Sequence, residues 1–165
     1  MTIRFAKPFG HALKIAGAGA FLMLSASAGH AESGPFAGLD GNWHGNGTVN
    51  MSDGSSERIR CRASYKVSGG TAMELSLRCA SDSYKFDLAS NVTSQGNNVT
   101  GSWSEASRNV YGNLNGKAGG GRIDVFVDAA GFAANISLTT HGNKQNVSIT
   151  SKGEIRGVSI SMTKG

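Results

Sequence analysis

The sequence predicts an all-β domain: an antiparallel up-and-down meander of about eight to ten strands that closes into a small barrel and carries one disulfide. Three observations lead there. Glycine-containing turn signals punctuate the chain at short, regular intervals beyond Gly41. Between them apolar and polar residues alternate, with no stretch of convincing helical period. The chain contains two cysteines, Cys61 and Cys79, at positions the alternation sets opposite each other in a hairpin.

Residues 1–31 read as a cleavable secretory signal, not as part of the fold. Arg4, Lys7 and Lys14 form a positive lead, Ile15 to Leu24 an uncharged apolar run, and Ala26-Ser27-Ala28 and Gly29-His30-Ala31 the small-residue exit. The expected cut follows Ala31, with Ala28 as second choice, and no cysteine sits there to take a lipid. Residues 32–42 then form a flexible N-terminal segment and residues 43–164 the barrel domain. The compartment implied is periplasmic or secreted, where a cysteine pair oxidises. The net charge of +5 includes three signal residues; the rest of the chain has 13 basic against 11 acidic residues, or +2. A balance that small points away from nucleic acid or a membrane surface as partner.

The first strand runs from Trp43 to Val49. Next comes a hairpin around Ser68-Gly69-Gly70-Thr71. Ile59, Cys61, Ala63, Tyr65 and Val67 alternate with Arg58, Arg60, Arg62, Ser64 and Lys66 on its first arm. Met73, Leu75, Leu77 and Cys79 do the same on its second. Setting Cys61 opposite Cys79 pairs Ala63 with Leu77, Tyr65 with Leu75, Val67 with Met73 and, outside, Lys66 with Glu74. A one-residue slip would turn the apolar set outward. Tyr84, Phe86 and Leu88 follow. Val99, Gly101 and Trp103 lead through a turn at Ala106-Ser107 to Val110, Gly112 and Leu114, a register that opposes Gly101 to Gly112 and Glu105 to Arg108. Ile123 to Val127, Phe132 to Leu138, Val147 to Ile149 and Val158 to Met162 complete the meander. Short links favour antiparallel neighbours, and a meander of this length curls to remove its edges. An outer-membrane barrel is disfavoured: its lipid face would carry Arg58, Arg60, Arg62, Lys66, Arg78, Lys85 and Asp87.

Gly41-Asn42-Trp43 ahead of the first strand resembles the Gly-x-Trp signature of the calycins: lipocalins, fatty-acid-binding proteins and avidins. The resemblance implies that Trp43 plugs one end of the barrel and that a basic residue of the last strand, Lys164 or else Arg156, packs on its ring. It covers the first strand and the meander pattern. The chain has room for neither the lipocalin helix nor the fatty-acid-binding helical lid, so the helix-free avidin plan is nearer. The chain also looks like small exported proteins of Gram-negative bacteria.

Five glycines, Gly45, Gly47, Gly101, Gly112 and Gly116, fall on the inward parity of their strands. They either leave room for a ligand or let the strands coil sharply. The inward set lacks charge, so a cavity there would suit a small apolar ligand. Tyr65, Tyr84 and Trp103, with Gly101 and Gly112, are its candidate contacts. Arg58, Arg60, Arg62 and Arg78 share one outer face, with Arg62 opposite Arg78; this is a candidate anion-binding face or a solvated surface. His44 and His141 lack paired ligand spacing, so no metal is expected. No cofactor is expected, and no nucleophile, acid or base set points to an enzyme. The first reading is an exported barrel binding a small apolar ligand. The alternatives are an envelope interaction module using the arginine face and a protease inhibitor whose Glu32 to Leu39 segment enters a cleft.

Overall fold

The computed structural model describes residues 33–165. The expectations for residues 1–31 lie outside the described residues. Ten strands follow in chain order: β1 (Gly41–Met51), β2 (Ser56–Ser68), β3 (Ala72–Ala80), β4 (Lys85–Gln95) and β5 (Asn98–Glu105), then β6 (Val110–Gly119), β7 (Arg122–Ala129), β8 (Phe132–His141), β9 (Lys144–Ser151) and β10 (Ile155–Lys164). Each strand pairs antiparallel with the next, and β1 pairs with β10, so the meander closes into a barrel without an edge. None of the described residues is helical, and thus no described helix is long and apolar enough to cross a membrane.

Period-two alternation decides what each strand buries. On β2, Ile59, Cys61, Ala63 and Tyr65 are buried while Arg58, Arg60, Arg62 and Lys66 are exposed. The β2–β3 ladder sets Cys61 against Cys79, Ala63 against Leu77, Tyr65 against Leu75 and Lys66 against Glu74, as expected from the alternation. The cysteines form a disulfide with sulfurs 2.08 Å apart.

One expectation is corrected. The β5–β6 ladder is shifted by two residues: Gly101 faces Leu114, Trp103 faces Gly112, and Glu105 faces Val110, not Arg108. The loop has four residues rather than two. The Glu105 carboxylate accepts from the backbone N–H groups of Ser107 and Arg108, at 3.1 and 2.9 Å, and Asn109 adopts a positive φ of 52°. A two-residue shift preserves parity, so the inward set is unchanged. Ahead of the first predicted strand, part of the chain packs on the barrel end. β1 already begins at Gly41, and Phe36 and Leu39 are 0% and 3% exposed. Phe36 N donates to Gly70 O at 3.4 Å, and Val67 N donates to Asp40 Oδ1 at 2.9 Å, which ties this segment across the barrel end.

Candidate functional site

The two ends of the barrel differ. At the end holding the 69–71, 96–97, 120–121 and 142–143 turns, the interior is shut. Trp43 is buried, and its Nε1–H donates to Leu39 O at 2.8 Å. Lys164 pairs with Trp43 in the β1–β10 ladder. Its Nζ lies 5.7 Å from the indole centroid and donates to Gly38 O at 3.3 Å, a geometry that adds cation–π attraction to a backbone bond. Tyr65 meets Trp43 edge-on at 6.4 Å. Its hydroxyl donates to Gln145 Oε1 at 2.9 Å, and Gln145 Nε2 donates to Thr140 Oγ1 at 3.3 Å. Burial pushes the phenol well above its usual range, and the Gln145 bond pulls only slightly the other way. Tyr65 therefore stays neutral and is spent on the plug.

Towards the opposite end, several inward side chains are less completely buried. Leu77, Leu88, Val125, Ile136 and Ile149 sit on inward parity in mid-barrel or beyond, yet all are only part-buried. Further out, Trp103 packs on Phe132 with centroids 5.6 Å apart, and the indole N–H donates to Asn113 O at 3.1 Å. Tyr84, which precedes β4, stacks on Phe86 at 6.3 Å, and the Arg108 guanidinium lies 4.9 Å above the Phe86 ring. A depression of about 340 Å³ at this rim is bordered by Ser81, Tyr84, Lys85 and Arg108.

Glu105 is the buried carboxylate of this half. Burial raises its pKa, but N–H donors from Asp87, Ser107 and Arg108 outweigh that and hold it below the usual glutamate value. Its 3.4 Å pair with Arg108 completes a loop clamp, and every contact serves structure. Gly101 and Gly112 are explained by close strand approach. A Cβ at Gly101 would overlap the Asn91 carbonyl, and one at Gly112 the Asp128 carbonyl. They mark sharp coiling of the sheet.

The four arginines lie together on the outside. Arg62 faces Arg78 across the ladder, and Arg78 pairs with Asp87 at 3.2 Å. Arg58 and Arg60 precede Arg62 on the same face of β2, all three exposed. Among the described residues no group of three or more metal-ligating side chains forms. Sequence reasoning missed Phe86, Phe132 and the part-buried aliphatics as one lining, since parity says which way a residue points but not how deep. It also missed Phe36 and Leu39, whose only signal is two large apolar residues in a glycine-rich lead.

No family model matches the chain, and no curated protein matches it. Among solved structures the chain is similar to Rv2717c from M. tuberculosis, with a TM-score of 0.63 and 11% identity over 77% of this chain and 92% of that one. It is also similar to the S-type phycobiliprotein lyase CPES from Guillardia theta, with a TM-score of 0.53 and 7% identity over 76% of this chain and 88% of that one. These likenesses are of fold alone.

Proposed function

We propose that the chain is an exported, calycin-like binding protein that holds a small apolar ligand in the half of the barrel away from Trp43. One observation supports the reading: apolar inward side chains such as Leu77, Leu88 and Ile149 are only part-buried in that half, while Trp43, Phe36 and Leu39 are buried at the other end. Burying apolar ligand surface against them is worth about 25 cal/mol per Å² before the costs of association. An oxidised cysteine pair fits a periplasmic or extracellular site of action, and export would proceed through the signal read in residues 1–31. The test is titration with the neutral fluorophore N-phenyl-1-naphthylamine. The expected result is saturable enhancement that disappears in Leu77→Trp, a variant that fills the lining and should retain a β-sheet circular dichroism spectrum. No enhancement in the wild type, or equal enhancement in the filled variant, sinks the reading.

A second reading has its own support. Arg58, Arg60 and Arg62 are exposed and take part in none of the ion pairs recorded among the described residues. Such a face suits an anionic envelope polymer. Replacing Arg58, Arg60, Arg62 and Arg78 by Ser should then abolish salt-sensitive retention on cell-envelope fractions.

A further inference from the structure

We propose that the outer surface of β4 to β7 is a second binding face, and that its ligand is a neutral, hydroxyl-rich glycan. Two observations meet there. The first is a pair of exposed rings: Tyr111 is 74% and Phe126 41% exposed, and among the described residues these are the large apolar side chains recorded as exposed. They stand on adjacent strands and share the outward parity. Phe126 faces Asn115, and Tyr111 precedes Asn115 by four residues on β6. Strand spacing puts their Cα positions about 14 Å apart, a span for a short oligosaccharide. A single exposed ring needs no explanation, but two on one face form a patch.

The second observation is a groove of about 420 Å³ beside them that includes Asn91, Ser102 and Asn113. Its lining includes Gly101 and Val92, residues of inward parity, so the groove reaches the sheet where Gly101 carries no side chain. The ladders place Ser102 opposite Asn113, and Asn91 opposite Ser102. Groove and rings thus form one continuous surface through Asn113, two positions from Tyr111.

The side-chain chemistry selects the ligand. A pyranose offers C–H faces that lie on aromatic rings and an edge of hydroxyls that both donate and accept. Tyr111 and Phe126 supply the platforms, while amides and hydroxyls between them supply donors and acceptors together. Charge separates this face from the arginine face. Lys66 stands opposite Glu74 at one margin, and Asp128 stands opposite Asn113 at the other. With no excess of cations, a polyanion finds nothing to neutralise there.

The experiment is a ¹⁵N NMR titration of the full folded barrel with cellohexaose and chitohexaose, with heparin as the polyanion comparison. Saturable shifts centred on Ser102, Asn113 and Asn115 are expected with a neutral hexasaccharide. Tyr111→Ala and Phe126→Ala should each weaken binding by about fivefold or more, the worth of one ring contact. Both sites are exposed, so the fold should survive, and an unchanged spectrum elsewhere verifies it. Absence of shifts with both neutral sugars at millimolar concentration overturns the proposal. So does binding that both alanine variants leave intact, or preferential binding of heparin at this face. Self-association that Tyr111→Ala abolishes, seen by sedimentation without sugar binding, would assign the face to a second copy instead. Because the face lies outside the barrel, these outcomes are read separately from fluorophore binding within it.

Discussion

Two side chains a few ångströms apart hold the plug end by different means, and substitution separates them. Trp43 works by volume, and Trp43→Ala should cost about 3–5 kcal/mol in urea denaturation. Tyr65 also carries a buried hydrogen bond to Gln145. Tyr65→Phe keeps the ring but orphans the Gln145 acceptor, with an expected cost of about 1–3 kcal/mol. Glu105 sets an acid limit on the opposite rim. Its folded pKa lies below the ordinary value of 4.5, so its contribution is complete above that value and is lost as pH falls through the depressed one. Glu105→Gln should therefore lower stability at neutral pH and flatten the decline as the solution is acidified past the ordinary glutamate value. Equal slopes for variant and wild type in pH-dependent urea melts would show that the clamp does not couple to folding.

At the scale of elements, the β2–β3 hairpin combines a ladder with a covalent tie. Replacing both Cys61 and Cys79 by Ala should cost about 3 kcal/mol in the chain-entropy account, with little change in the circular dichroism of the native sheet. Gly112→Val should do more harm, because its side chain would need the space of the Asp128 carbonyl and force β6 from β7; failure to yield soluble barrel is the expected result. This hairpin was legible in the sequence because alternation, turn residues and cysteines each specified one register. The β5–β6 hairpin was not, because Trp103 can face Gly112 or Val110 with the same parity and only the Glu105 clamp chooses. Strand β4 was legible only through Leu88; its remainder, with Ser90 and Val92 inward, lacks a strong apolar rhythm. Of the candidate site, inward parity was readable for Trp103 and Gly101, but Tyr65 could not be assigned to the plug without Gln145, eighty positions away in sequence.

For the whole molecule, closure is the property that matters most. Every strand has two partners, so amide protection in β1 and β10 should match that of β5 and β6 in hydrogen exchange; faster exchange along the β1–β10 seam would show that it opens by itself. The same seam has a consequence for how the molecule is made. β1 can zip to β2 as soon as both exist, but its other side has no mate until β10 has been synthesised. During that interval its open N–H and C=O groups invite a neighbouring chain, and a barrel cut short before Ile155 should aggregate instead of sealing. The first strand to emerge thus depends on the last, and a nascent chain must be kept from premature company until its tail arrives.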